Sequence, residues 1–217
     1  KKESVISYVN DSKDGKSVYY HSNSRKKERE ESWKRNLENG LWVWWNEDGK
    51  KNQEGNYRSG QQHGTWINYN EKGRKIEESQ WKNGELFGKT TLWDKNGNKT
   101  ILKSFKEDEK DGLWIWWSPN GKKVKEGNFK LGDKNGKWTY YHANGKKKRL
   151  ENYKLGKKNG KLIVWFENGQ KEREESYKND EKHGKWTYWF ENGRLDKEEK
   201  YTNGVQTDGK HYDYFDN

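Results

Sequence analysis

The sequence predicts an all-β fold: an elongated array of about eight 24-residue antiparallel β-hairpin repeats in a single twisted sheet. Three observations carry this expectation. Glycine recurs at Gly15, Gly40, Gly64, Gly88, Gly112, Gly136, Gly160 and Gly184, at intervals of 24 or 25 residues. A period this regular marks a repeat architecture and takes precedence over other signals. Turn dipeptides recur within the repeats, as Asp48-Gly49, Asn96-Gly97, Asn120-Gly121, Asn144-Gly145, Asn168-Gly169 and Asn192-Gly193. Between the two glycine series lie short aromatic and β-branched runs of the kind that suit strands.

The sixth repeat justifies each element in order. Gly136-Lys-Trp-Thr-Tyr-Tyr reads as an outgoing strand. Asn144-Gly145 supplies the dipeptide that a two-residue type I′ turn requires, because both central residues take positive φ. Residues 146–153 return as a charged strand ending on Tyr153, and Gly156 sits where the chain turns into the next repeat. Residues 1–14 read as a lead-in or cap, 15–208 as the eight repeats, and 209–217 as a capping strand. Terminal repeats should be atypical, since they close the stack, and Ser17 stands where most other repeats carry Trp.

Neighbouring strand residues point to opposite sides, so the positions of each repeat fall into rows. The fourth is β-branched (Val18, Val43, Ile67, Thr91, Ile115, Thr139, Ile163, Thr187) and the sixth aromatic (Tyr20, Trp45, Tyr69, Trp93, Trp117, Tyr141, Trp165, Trp189). The return strand adds Trp33, Tyr57, Trp81, Phe105, Phe129, Tyr153, Tyr177 and Tyr201. Uniformity from repeat to repeat assigns these three rows to the packed interior. The third and fifth positions vary more, and their bulky members form the candidate partner-binding face: Trp42, Trp44, Trp66, Trp114, Trp116, Trp138, Tyr140, Trp186 and Tyr188. Two readings of that face stand open. It is a binding surface, or it packs as well; a contiguous exposed apolar patch would decide for binding.

Composition alone, 27% hydrophobic and 37% charged, would suggest disorder. The 14 Trp, 13 Tyr and 6 Phe argue for a folded chain, because each buries a large area. With no Cys, disulfides and thiolate sites are excluded and redox gives no clue to compartment. No apolar run reaches the ~18 residues of a membrane-spanning helix. Met is absent, even at residue 1; the expectation is a start inside a longer product, which slightly favours export (periplasmic, cell-surface or secreted) over the cytoplasm. The net charge of +11 permits attraction to anionic lipid, glycan or nucleic acid. Interleaved acidic residues favour a solubilising Lys/Glu surface instead.

Chemistry is hard to find. His21, His63, His142, His183 and His211 lack metal-ligand spacing and read as loop or turn residues. Glu54, Glu78, Glu126, Glu174 and Glu198 run beside Lys51, Lys75, Lys99, Lys123, Lys147 and Lys171. They read as cross-strand ion pairs on a wet face. No catalytic residue, cofactor site or metal site is assigned, and an enzyme is not expected.

The glycine openings, the aromatic strand and the endings Tyr57-Arg-Ser-Gly60, Tyr153-Lys-Leu-Gly156 and Tyr201-Thr-Asn-Gly204 resemble the MORN repeat. Gly-Lys-Trp-Thr-Tyr-Tyr with Asn-Gly-Lys-Lys looks more like its bacterial variant, often labelled the YwqK-type antitoxin family. The resemblance implies elongated hairpin arrays that act in protein association, scaffolding and, for some, acidic-phospholipid binding; the antitoxin label implies neutralisation of a partner protein. The expected function is non-enzymatic: binding or scaffolding a protein partner through an extended aromatic β-face, with self-association through the unpaired edge strands as an extension. The alternative is a basic surface for anionic lipid, glycan or nucleic acid.

Overall fold

The computed structural model describes residues 4–212. The chain forms two compact bodies, Lys1–Glu109 and Lys110–Asn217, and every regular element among the described residues is a β-strand. In the N-terminal body the outgoing strands Gly15–Tyr20, Gly40–Trp45, Gln61–Tyr69 and Glu85–Trp93 alternate with return strands Lys27–Lys34, Lys51–Arg58, Lys75–Lys82 and Lys99–Lys106. The C-terminal body repeats the plan with Gly112–Trp117, Asp133–Tyr141, Gly160–Trp165 and Gly184–Trp189. Its return strands are Lys123–Lys130, Lys147–Lys154, Lys171–Lys178 and Leu195–Thr202. Val205–His211 closes it, pairing antiparallel with Leu195–Thr202. The expected capping segment 209–217 thus overlaps a strand that begins earlier, and its residues 213–217 lie outside the described residues.

The two kinds of turn are the reverse of what the dipeptides suggest. At Asn144-Gly145 only the glycine takes positive φ (90°). Gly145 N donates to His142 O at 2.9 Å and His142 N to Lys146 O at 2.9 Å. This is a type I turn followed by a left-handed glycine, one of the longer hairpin loops. The type I′ turns lie at the other end of each hairpin, where two successive residues have positive φ: Leu155 (49°) with Gly156 (79°), and Asn179 (52°) with Asp180 (72°). The opening glycines are left-handed too, Gly40 at φ 106°, and a Cβ there would come 3.1 Å from Ser32 Cβ.

Strand register corrects the assignment of the interior in part. The return-strand aromatics join the core and Val43, Ile115 and Thr187 of the fourth-position row are buried, but that assignment misses the third-position row. Gly40 pairs with Tyr57, Trp42 with Gly55 and Trp44 with Gln53. Paired residues share a face, so the return-strand aromatics lie with positions one, three and five, opposite to positions four and six. A change of one residue in register exchanges the two faces, and counting outward from Asp48-Gly49 already pairs Gly40 with Tyr57. The third-position row is the core: no residue in it, from Ser17 to Trp186, is more than 8% exposed. The sixth-position aromatics are half-buried.

The core is a ladder of rings. Tyr57 stands edge-on between Trp42 (5.1 Å) and Trp66 (5.0 Å), and Phe129 stands likewise between Trp114 (5.1 Å) and Trp138 (5.0 Å). Each such contact contributes about 0.5–1.5 kcal/mol beyond area burial. The indoles lock onto the neighbouring strand: Trp42 Nε1 donates to Ser32 O (3.0 Å), Trp138 Nε1 to Asn128 O (3.0 Å) and Trp186 Nε1 to Ser176 O (3.0 Å). Where Trp flanks both sides, the residue between is glycine, since a Cβ on Gly127 would fall 2.2 Å from Trp138 Cδ2.

Two substitutions test this packing by urea unfolding. Gly127→Ala should cost about 1–3 kcal/mol, as overpacked cores do; an unchanged midpoint would mean that the Trp138 ring is free to move. Thr90 occupies a third position with a buried Oγ1 that finds no partner among the described residues. Thr90→Val should therefore stabilise the protein by about 1 kcal/mol.

Candidate functional site

The nine residues of the expected binding face separate into two groups. Trp42, Trp66, Trp114, Trp138 and Trp186 are buried third-position rings, closed to a partner because they form the ladder. Trp44, Trp116, Tyr140 and Tyr188, at the fifth position, are half-buried and remain reachable from solvent. They lean on the core, with Trp44 5.6 Å from Trp42 and 5.9 Å from Trp66, and Trp116 5.6 Å from Trp114 and 5.9 Å from Trp138.

A cation from the return strand covers most of this row. Arg29 lies 3.9 Å from the Tyr19 ring, Lys125 4.3 Å from Trp116, Arg149 4.2 Å from Tyr140 and Lys197 4.3 Å from Tyr188. Partly desolvated contacts of this kind are worth about 0.5–2 kcal/mol. The cations are cross-strand neighbours of the rings they cover, as Lys125 pairs with Trp116 and Arg149 with Tyr140.

Sequence reasoning missed the buried carboxylates between them. Glu31, Glu151 and Glu175 are buried on the core face. Each is held by a basic residue two before it and an aromatic two after it: Arg29 Nε (2.8 Å) and Trp33 Nε1 (2.8 Å) for Glu31, Arg173 Nε (3.0 Å) and Tyr177 OH (2.9 Å) for Glu175. Glu199 repeats the arrangement with Lys197 (3.0 Å) and Tyr201 (3.2 Å). Burial and the adjacent carboxylates push the phenols of Tyr153 and Tyr177 well above the ordinary tyrosine range. Burial raises the Glu199 carboxyl, but hydrogen bonding and charge from Lys197 outweigh it and hold that group below its usual range. The spacing basic-x-Glu-x-aromatic is the signal that would have found these groups, since all three side chains share a strand face.

The opposite face carries ion pairs, but their geometry differs from the expected cross-strand rows. Lys51–Glu54 (2.6 Å), Lys75–Glu78 (2.7 Å), Lys123–Glu126 (2.8 Å) and Lys171–Glu174 (2.6 Å) each lie within one strand. The register jumps from Trp45↔Lys51 to Trp44↔Gln53, and the extra residue of this bulge brings residues three apart onto one side. True cross-strand pairs come from position two, in Lys16–Glu30 (2.8 Å) and Lys161–Glu174 (2.5 Å). Tyr69 and Tyr141 donate to Glu54 and Glu126. Burial and the Glu126 contact push Tyr141 up to about 12.

The expected loop histidines include two that fasten successive repeats. His21 Nε2 donates to Trp45 O (2.9 Å) and His142 Nε2 to Trp165 O (2.8 Å); a carbonyl only accepts, which sets the tautomer. Among the described residues no group of three His, Cys, Asp or Glu is placed to hold a metal ion. A concavity of about 770 Å³ opens among the turns near Asn46, Tyr69, Asn70, Arg74 and Asn96. Asn70 Oδ1 accepts there from Lys72 N and Arg74 N at 3.0 Å, a turn cap with no nucleophile and base set beside it. Among the described residues no helix is long and apolar enough to cross a membrane.

Hydrogen bonds from Lys16 and Lys27 hold Glu30 below the ordinary carboxylate range, and those from Lys161 and Lys171 do the same for Glu174. A depressed folded value gives stability that is present above the unfolded value, about 4.3 for Glu. That stability is lost as pH falls through the folded values. The urea midpoint should therefore drop as pH is lowered from about 4.5, and Lys161→Met should make the drop shallower. An acid limb identical in the variant would remove this pair from the cause.

A family model described as MORN repeat variant matches residues 38–59, 110–131, 134–155, 158–179 and 182–203, half of the chain in total. Four of the five matches fall in the C-terminal body. A search of curated proteins gives no match. Hairpin repeats that begin two residues before the opening glycine and end at the type I′ turn are the units so matched, and the chain belongs to the MORN repeat variant family, a generally non-enzymatic class whose repeats serve in protein or membrane-lipid interaction.

Proposed function

We propose that this chain is a non-enzymatic binding protein that holds a protein partner against the fifth-position row. The observation that carries the reading is the set of half-exposed rings, Trp44, Trp116, Tyr140 and Tyr188, fixed in register on a rigid core, three of them under a cation. Trp, Tyr and Arg are the residues that dominate protein interfaces, and rigid rings lose little entropy on binding. Repetition spreads such anchors along each body, as a scaffold needs.

The second reading, a basic surface for anionic lipid, glycan or nucleic acid, draws on the net charge of +11. The fifth-row cations support it poorly, because Arg173 and Lys197 already face the carboxylates of Glu175 and Glu199. The YwqK-type likeness makes neutralisation of a partner protein a special case of the first reading. Self-association through the exposed edge Val205–His211 is another, since an open edge accepts a further strand.

The test is capture of partners from lysate and envelope fractions of the source cells at low and high salt, with the wild type and Trp116→Gln/Tyr140→Gln. The expected result is a protein retained at high salt and lost in the folded variant. Retention only at low salt, of nucleic acid or lipid, would favour the second reading, because phosphate contacts weaken steeply with salt.

A further inference from the structure

Two type I′ turns of the C-terminal body carry an apolar residue where their counterparts carry a polar one. The first of the two left-handed positions is Arg35, Ser59, Asn83, Glu107, Asn179 or Asn203 in the other repeats, polar in each, but Leu131 (φ 50°) and Leu155 (φ 49°) in these two. Asn tolerates that conformation through local hydrogen bonding, and a bulky residue there is an outlier. Both leucines also project into solvent, 65% and 59% exposed. Neither backbone geometry nor burial favours Leu at these positions, and the two stand one repeat apart.

The charge around them is equally unbalanced. The turns read Lys130-Leu131-Gly132-Asp133-Lys134 and Lys154-Leu155-Gly156-Lys157-Lys158, five lysines to one aspartate. Lys154 stands directly opposite Lys157 in the strand register, a like-charge pairing that destabilises a sheet. Lys134 lies 4.5 Å from the Trp138 ring and 4.7 Å from Tyr153, and Lys158 5.0 Å from Tyr177. The ion pairs of the opposite face give other lysines a carboxylate; none of these five has one among the described residues. The patch ends at the next turn, where Asn179-Asp180-Glu181 replaces Leu-Gly-Lys.

We propose that this two-turn edge docks an acidic polypeptide segment carrying apolar side chains, with its carboxylates on the lysines and its apolar residues on Leu131 and Leu155. Exposed leucines at two successive left-handed positions that are polar in the other repeats, set among lysines, point to a site selected for function. Equivalent turns lie about 10 Å apart, two strand spacings of ~4.8 Å, and one turn of a polyproline II-type peptide, three residues of ~3.1 Å with i and i+3 on one side, covers about the same distance. A segment with one apolar residue in three and acids between them therefore matches both leucines and their lysines. Nucleic acid fits less well, because base stacking needs open rings and here Lys134 and Lys158 cover them. The inference rests on the reading of the chain as a protein binder and places a second contact on that partner, apart from the fifth-position row.

The test is fluorescence anisotropy of the full chain with a fluorescein-labelled peptide of repeating Leu-Glu-Asp, against a Ser-Glu-Asp control. Oligothymidylate and phosphatidylserine vesicles serve as competitors. Leu131→Asn/Leu155→Asn should raise the thermal midpoint, since Asn suits the left-handed turn, while weakening the Leu-Glu-Asp peptide about tenfold through lost apolar burial. Lys134→Glu/Lys158→Glu should abolish binding. The proposal is overturned by equal affinity for the Asn variant, by equal binding of the Ser-Glu-Asp control, or by no peptide binding at all. Preference for oligothymidylate or vesicles, or a lowered midpoint in the Asn variant, also overturns it. Peptide failure with Trp116-dependent capture intact sinks this inference alone; loss of that capture as well would sink the broader reading.

Discussion

The protein depends on one contact repeated along the chain: a buried third-position ring wedged between return-strand aromatics of its own repeat and its neighbour. Tyr57 between Trp42 and Trp66, and Phe129 between Trp114 and Trp138, show the unit of this ladder. A single hairpin has no opposing layer, so its rings can leave water only by stacking along the array. Size must then be matched from strand to strand. Gly55 and Gly127 lie between pairs of Trp, whereas Glu31 faces Ser17 and Glu175 faces Leu162, where more room remains.

The same ladder organises the charge. Glu151 and Glu175 are buried because the rings beside them exclude water, and each is tolerable only because a phenol and a guanidinium on its own strand face reach it. Those cations in turn cover fifth-position rings, as Arg149 covers Tyr140. One face therefore combines core, buried acid and cation-capped rim, while the other carries the Lys–Glu pairs, whose individual contribution is small. Binding capacity follows from the rim and the turns, the parts of the repeat that stacking leaves free to vary.

Much of the fold was legible in the residues. Period, hairpins and strand directions follow from glycine spacing and turn dipeptides, which act locally and leave a strong trace. The site was legible in part. Of the candidate face, Trp44, Trp116, Tyr140 and Tyr188 are half-buried, whereas Trp42, Trp66, Trp114, Trp138 and Trp186 lie in the core. Uniformity misled there: the sixth-position row is uniform yet half-buried, because it packs against the Lys and Glu stems of a bulged strand. The left-handed leucines could not be read from composition, since Leu is unremarkable until its φ is known.

By itself the sequence determined that the chain is a repeat of β-hairpins, because local turn chemistry and a constant period leave no other way to satisfy the backbone. Only the tertiary structure decided which face is the interior. That choice depends on which of the two faces stacks its rings against those of the neighbouring repeats. The same fit decided that Glu151 and Glu175 are buried and Leu131 and Leu155 exposed, reversing what polarity alone implies.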